Sequence, residues 1–278
     1  MTHIADNSAH GYWRSGTLFA LALLLLCLAL GSVNAAPQTT GVRNSQGPHG
    51  LNARQRQLLQ ESLQQKTGFL ELCFDQLGAL TLGNRHHIRG GSAKARALLI
   101  AAVESGDLYE LESHERSPEV AFARLYDNET REIETGQRII IYKVQLDFAD
   151  FDRLQGPREA KAALDPGLAL LHELVHGVLK LQDPQGAMDQ IGECDAHVNQ
   201  MRRELQLPER LYYNPDITIV KAPGGRVIVN ASLVFVERAA ANAEPRVKYR
   251  LSWLPGEVSP KARNVADFQQ GTLVERRR

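Results

Sequence analysis

Residues 165–181 of the chain read DPGLALLHELVHGVLKL. Asp165 followed by Pro166 is a typical helix start, an N-cap residue with proline at the first helical position. Leucine and valine follow on nearly every side, which is typical of a helix that is buried all round. The sequence therefore predicts a helix from residue 167 to about 181 inside the protein core.

Three polar side chains interrupt this apolar helix in the pattern HExxH. His172 and His176 are one helical turn apart on one face, so two imidazoles can bind one zinc ion. Glu173 lies one step round the helix, where its carboxylate can reach a water at the metal without being a ligand. Burial of these groups without partners would be expensive, and a bound metal explains it. The pattern predicts a Zn(2+) site with Glu173 as the general base.

The third ligand is expected on the next predicted helix, over about 190–207, because a catalytic zinc usually has three protein ligands and one water. Glu193 is favoured, since sixteen residues separate it from His176, close to the spacing of zincins whose third ligand is glutamate. His197 lies one turn further along the same face and becomes a partner of the ligands if Glu193 binds the metal. His197 and Asp195 are the alternative third ligands.

The chain resembles the NleD-type bacterial effector metallopeptidases over roughly residues 138–213. The residues that carry the resemblance are His172-Glu173-Leu174-Val175-His176-Gly177, Gly192-Glu193, and a tail from Asn199 through Arg203-Glu204-Leu205 to Leu207-Pro208-Glu209-Arg210-Leu211-Tyr212-Tyr213. The resemblance implies an effector-like zincin that binds zinc through two histidines and a glutamate. Independently of it, Arg210, Tyr212 and Tyr213 are candidates to polarise a scissile carbonyl or to steady the oxyanion, with simple packing as the alternative.

The order of helices and strands along the chain predicts an α+β fold. Residues 138–148, RIIIYKVQLDF, form the strongest predicted strand. In zincin architecture the strand before the zinc helix is a sheet edge that pairs with an extended substrate, and an interior strand is the alternative. Helical spacing upstream predicts helices near 51–63, 69–80 and 93–104, and the chain after residue 214 is β-rich.

These patterns divide the chain into four parts. Residues 1–36 are predicted to be a signal peptide or N-terminal anchor, 37–50 a linker, 51–213 the metallopeptidase domain, and 214–278 a β-rich extension packed on it. The first part has the layout of a secretory signal, with Arg14, the apolar run LFALALLLLCLAL and a small-residue cleavage site. We expect an exported protein, periplasmic or secreted, and an uncleaved inner-membrane anchor is the alternative.

Composition and charge narrow the function further. Lys+Arg and Asp+Glu are both 32, so no overall field favours a polyanion, and nucleic-acid binding is disfavoured. Cys73 and Cys194 follow the signal segment and are either a disulfide or buried thiols. We expect a zinc metallopeptidase, an endopeptidase acting on protein or peptide substrates. The alternatives are a zinc amide hydrolase of cell-wall peptides and a non-catalytic envelope protein with a structural zinc, which a fourth ligand such as His197 would favour.

Overall fold

The computed structural model describes residues 40–132, 136, 138–185, 190–221, 227–239, 243–254 and 257–258. The predicted signal segment and the first residues of the predicted linker lie outside these ranges. The described residues form helices and strands in mixed order, which confirms the predicted α+β class. Within the described ranges, no helix combines the length and the apolar character that a membrane span requires.

The helices of this part are α1 (Ala53–Thr67), α2 (Ala93–Val103), α3 (Phe148–Arg153), α4 (Arg158–Ala162), α5 (Pro166–Leu179) and α6 (Gly192–Glu204). The strands are β1 (Gly41–Asn44), β2 (Cys73–Phe74), β3 (Leu80–Thr81), β4 (Leu108–Ser113), β5 (Ala123–Glu132), β6 (Arg138–Leu146), β7 (Glu209–Arg210), β8 (Asp216–Lys221), β9 (Val227–Glu237), β10 (Val247–Trp253) and β11 (Glu257–Val258). Helix α5 is the predicted HExxH helix.

The first sheet has four strands in the order β1-β4-β6-β5. Strands β1, β4 and β6 run parallel to one another, and β5 runs antiparallel to β6. The prediction that residues 138–148 form the sheet edge is therefore wrong, because β6 has a neighbour on each side. Its β-branched run suits an interior strand, in which Val144 and Leu146 are fully buried. The sheet edge next to the HExxH helix is β5.

Strand β1 also corrects the predicted linker over residues 37–50. Its four residues pair in parallel with the first four residues of β4. Val42 is fully buried, and the Asn44 side chain accepts a hydrogen bond from the Leu51 N–H at 2.7 Å and donates one to the Leu51 carbonyl at 3.2 Å. The polar composition resembled a linker, but one buried valine and one satisfied asparagine hold this segment in the sheet.

The helix predicted over residues 69–80 is wrong as well. Gly68 ends α1 in the left-handed conformation with φ 79°, and strands β2 and β3 then pair as a hairpin. The Asp75 carboxylate accepts hydrogen bonds from the backbone N–H groups of Leu77 and Ala79. Because Gly78 adopts φ 82°, these local bonds close a tight turn in place of a helical one.

Helix α5 lies within the larger hydrophobic cluster and contacts α1, α2, α6, β5 and β6. Helix α1 fixes its N-terminus, since the Ser62 hydroxyl accepts a hydrogen bond from the Gly167 N–H and Lys66 forms a 2.7 Å ion pair with Asp165. Near the other end, a Cβ at Gly177 would lie 2.4 Å from a ring carbon of Tyr109 on β4. The HExxH helix is therefore held at both ends.

The second sheet is built around β9, with which β7, β8, β10 and β11 all pair antiparallel. Residues from both sides of position 214 form the hydrophobic cluster beneath it: Phe122, Leu154, Ala160, Ala163, Leu164, Ala231, Leu233, Phe235, Leu251 and Trp253. Backbone hydrogen bonds also run in both directions between Gln155 and Ser252. The predicted C-terminal extension thus shares its core with the preceding segment.

Cys73 and Cys194 are free thiols, the first exposed and the second buried. We expect the Cys73 thiol to be alkylated quickly in the folded protein and the Cys194 thiol only after unfolding. Peptide mass mapping under non-reducing conditions measures both sites. A peptide in which Cys73 is linked to Cys194 would contradict this arrangement.

Gly177 provides a test of how α5 packs on the first sheet. Gly177→Ala should lower the free energy of unfolding by about 1–3 kcal/mol, because the new methyl group overpacks against Tyr109. Intrinsic helix propensity alone would give the opposite sign, a gain of about 1 kcal/mol. Urea denaturation measures the difference. Gly47→Ala is the control, since its nearest atom would be 3.4 Å away, and a stabilised Gly177→Ala variant would contradict the packing.

Candidate metal centre

Helix α5 presents His172 and His176 side by side, as the sequence predicted. The Asp165 side chain caps the helix by accepting a hydrogen bond from the Leu168 N–H at 2.9 Å. The Nε2 atoms of the two histidines are 3.3 Å apart, and their rings are nearly perpendicular, at 78°. Both imidazoles therefore direct the same nitrogen to one point.

Asp183 supplies the third group at this point. One of its carboxylate oxygens lies 3.4 Å from His172 Nε2, and the other lies 3.2 Å from His176 Nε2. Ligand atoms of these three residues all lie within 4.8 Å of one another, and among the described residues this is the group that could hold a metal ion.

The turn after α5 brings Asp183 back to the histidines. Lys180 ends the helix in the left-handed conformation with φ 58°, which is uncommon for a residue other than glycine. Its backbone N–H donates to the His176 carbonyl at 3.1 Å, and its Nζ donates to the Tyr142 hydroxyl at 2.5 Å. These two hydrogen bonds hold the chain reversal that places Asp183 opposite the helix.

The surroundings of His176 favour one tautomer. His176 Nδ1 lies 2.8 Å from the Leu181 carbonyl oxygen and 3.2 Å from the Cys194 sulfur. A carbonyl accepts and cannot donate, so Nδ1 carries the proton and donates it to Leu181. With the Nδ1 proton held in this way, a metal that displaced the Nε2 proton would find the Nε2 lone pair directed at the shared point.

The electrostatics of the group are those of a cation site. Burial alone would lower the pKa of His176, but its hydrogen bonds to Asp183 and Cys194 raise that pKa to about 11. Burial likewise opposes ionisation of Asp183, but its hydrogen bonds to His172 and His176 hold the pKa of that carboxyl far below its usual range. Asp183 is thus an anion held against the two imidazoles, at the point where a cation would bind.

Glu173 is buried and lies against the edge strand. Its carboxylate accepts a hydrogen bond from the Leu125 backbone N–H of β5. Burial raises the pKa of Glu173, and the positive charge of His172 and His176 opposes that rise. A carboxyl group with a raised pKa is a stronger base than an exposed one, which suits it to accept a proton.

Of the two tyrosines predicted for catalysis, the structure brings only Tyr213 to the site. The Tyr213 hydroxyl donates to Asp183 Oδ2 at 2.8 Å, and its ring stacks on His172 with the centroids 6.3 Å apart. Burial and the charge of Asp183 raise the pKa of Tyr213, so the hydroxyl keeps its proton. The Tyr212 hydroxyl instead interacts with Asp216.

The three predicted candidates for the third ligand lie on α6, and none belongs to the group. Glu193 is exposed in the first turn of the helix, and His197 is half-buried, with its pKa lowered by burial and by Lys94. Asp195 is fully buried, with its Oδ1 atom 3.8 Å from His172 Nδ1, on the opposite side of the ring from Asp183. The structure thus brings Asp183, and not Glu193, to the two histidines.

No motif in the sequence marks Asp183 as a metal ligand, because Asp183-Pro184 is typical of a turn. The carboxylate lies outside any helical phase, so no periodic spacing connects it to the histidines. A tertiary contact fixes the turn, since a Cβ at Gly192 would lie 2.4 Å from Pro184 Cδ and Gly192 itself has φ 72°. An acidic residue shortly after the helix, before a proline, was the one available signal.

No family model, curated protein or solved structure matches this chain. The case for a function rests on the geometry of the site.

The ligand set has a direct test. Asp183→Asn should weaken zinc binding by at least about 100-fold, because it removes the one anionic donor of the group. Glu193→Gln should change zinc affinity by less than about twofold, because Glu193 is exposed outside the group. Competition with a chromogenic chelator measures both. Loss of zinc from the Glu193 variant, with full binding by the Asp183 variant, would restore the predicted ligand set.

Proposed function

We propose that the protein is a zinc-dependent metallopeptidase whose metal ligands are His172, His176 and Asp183. The observation that carries this proposal is the spacing of their donor atoms. Zinc bonds of about 2.0–2.2 Å in a tetrahedral arrangement separate neighbouring ligand atoms by about 3.3–3.6 Å. The separations here are 3.3 Å between the two imidazole nitrogens and 3.2 and 3.4 Å from these nitrogens to the carboxylate.

The chemistry of the donors suits zinc. Two imidazoles and a carboxylate are a common zinc ligand set, and three protein ligands leave a fourth position for water or substrate. Among the described residues the group has three members, and His197 is not one of them. This composition favours an open catalytic site over the closed four-ligand site of the structural-zinc alternative.

Glu173 would carry the proton in this mechanism. Zinc, when bound, would supply a Lewis acid that polarises a carbonyl group and acidifies water. The Glu173 carboxylate would accept a proton from the attacking water and return it to the leaving amine, which converts one peptide bond into a carboxylate and an amine. Burial keeps Glu173 out of bulk water, and its hydrogen bond from Leu125 fixes the carboxylate beside the histidines.

The edge strand β5 supports a peptide as the substrate. One side of β5 pairs with β6, and the strand ends the sheet on its other side. The Leu125 N–H reaches Glu173, so β5 lies directly beside the reacting groups. An extended peptide that paired with β5 would place its backbone carbonyls along the site, by addition of a strand to the sheet.

The rest of the proposal comes from the sequence. The signal-like segment supports export to the periplasm or beyond, and the resemblance to NleD-type enzymes supports protein substrates. With Asp183 as the third ligand, the proposal departs from the glutamate that the resemblance implies. Tyr213 keeps a supporting role, since its hydroxyl donates to Asp183.

Glu173→Gln tests the enzymatic part of the proposal. This variant should keep about one zinc per chain and its thermal unfolding midpoint, and lose at least about 100-fold in peptide cleavage, because only the base is removed. Mass spectrometry of a peptide mixture, with and without a zinc chelator, measures cleavage. Glu193→Gln is the matched control.

Two results would count against this mechanism. If the Glu173→Gln variant still cleaved peptides, Glu173 would not be the general base. Cleavage by the native protein that continues in the presence of the zinc chelator would show that the reaction does not need the metal. Cleavage of cell-wall stem peptides, with protein substrates left intact, would instead support the amide-hydrolase alternative.

A further inference from the structure

We propose that Asp195 and Arg210, an ion pair between α6 and β7, position the metal ligands from behind. Asp195 acts on His172, and Arg210 acts on Asp183 through Tyr213. Neither residue touches the point where the donor atoms converge, so both are positioning residues. This inference rests on the proposed metal site and adds the structure that holds it.

Asp195 lies behind His172. The carboxylate is completely buried, and its Oδ1 atom lies 3.8 Å from His172 Nδ1, while His172 Nε2 faces Asp183. A distance of 3.8 Å exceeds a hydrogen bond, so the interaction here is that of a negative charge with the ring. A carboxylate in this position favours the orientation with Nδ1–H toward it and makes Nε2 a better ligand.

Arg210 forms an ion pair with Asp195 and also binds the backbone of Tyr213, whose side chain contacts Asp183. Its Nη1 atom lies 3.0 Å from Asp195 Oδ2. Its Nε atom donates to the Tyr212 carbonyl at 3.2 Å, and its Nη2 atom donates to the Tyr213 carbonyl. The Tyr213 hydroxyl then donates to Asp183. One guanidinium therefore connects the residue behind His172 to the chain segment that holds Asp183.

Two further residues of α6 complete this network. The Asn199 side chain accepts a hydrogen bond from the Arg210 N–H and donates one to the Arg210 carbonyl, both at 2.8 Å. Arg202 lies 3.3 Å from Asp195 Oδ1 and donates to Asn199 Oδ1 at 2.8 Å. The Asn199 side chain thus pairs both backbone polar groups of Arg210, which holds this residue of β7 against α6.

Stability alone is a weak reason for this network. Desolvation of buried ions offsets most of their attraction, and well-packed apolar residues often stabilise a fold as well or better. The same two elements also share a second ion pair, Arg203 with Glu209 at 2.5 Å, which has no contact with the metal group. The Asp195–Arg210 pair differs because both of its ends reach residues of the metal site.

The test uses zinc affinity in the full chain. Asp195→Asn and Arg210→Met should each weaken zinc binding by about 10- to 100-fold, the usual loss when a partner of a ligand is removed. The double variant should bind zinc no more weakly than the weaker single variant, since the two residues act through one contact. Glu209→Gln is the matched control and should change zinc affinity by less than about twofold.

Cobalt substitution separates positioning from general stability. The visible absorption of bound Co²⁺ reports ligand geometry, so it should change in the Asp195 and Arg210 variants and stay unchanged in Glu209→Gln. Equal zinc affinity and an unchanged cobalt spectrum in Asp195→Asn would overturn the proposal, whatever the loss in thermal stability. If Asp195→Asn does not fold, Arg210→Lys and Tyr213→Phe give the same readouts with smaller changes to the core.

Different results would exclude the metal site and the positioning role of Asp195 and Arg210. A native protein that binds neither zinc nor cobalt would overturn the metal site itself. In that case the ¹⁵N shifts of the His172 ring still report on Asp195. They should change in Asp195→Asn and not in Glu209→Gln, and equal shifts in all three proteins would overturn the positioning role.

Discussion

The polar groups of α5 must find partners inside an apolar core, and much of the structure around them meets this requirement. Leu168, Leu170, Leu171, Leu174 and Val175 fix the helix by burial, and two imidazoles and a carboxyl group lie among them. Unpaired, such groups would cost several kcal/mol each. The desolvation cost of the two imidazoles and the Glu173 carboxyl is offset by hydrogen bonds and charge from Asp183, the Leu181 carbonyl and the Leu125 N–H.

The two ends of the site are held by different kinds of structure. On the side of Asp183, a left-handed Lys180 and its bond to Tyr142 turn the chain sharply after α5. On the side of Glu173, the residue just before the edge strand β5, Phe122, is also left-handed, with φ 65°. The Asp150 carboxylate accepts a hydrogen bond from the Phe122 N–H, which fixes the start of the strand. One uncommon backbone conformation follows α5 and the other precedes β5, and side chains from other elements hold both.

Helix α6 combines packing with electrostatics. Cys194, Val198 and Met201 bury one face in the core, and Asp195, Asn199 and Arg202 carry a buried polar network. The second sheet contributes β7 to this network and shares a hydrophobic cluster with α4. The second sheet is therefore connected through Arg210 of β7 to the residues around His172 and Asp183.

The sequence determined those features that depend on neighbours along the chain. The cap of α5, the shared face of His172 and His176, the apolar stripe of α6 and the strand character of β6 all follow from period and capping, which are local properties. Tertiary structure alone decided which strand forms the sheet edge and that residues 41–44 form a strand, because strand pairing depends on distant partners. It also decided that Asp183, and not Glu193, lies at the two histidines. A left-handed turn and the contact between Pro184 and Gly192 bring the Asp183 carboxylate there, and helical phase plays no part.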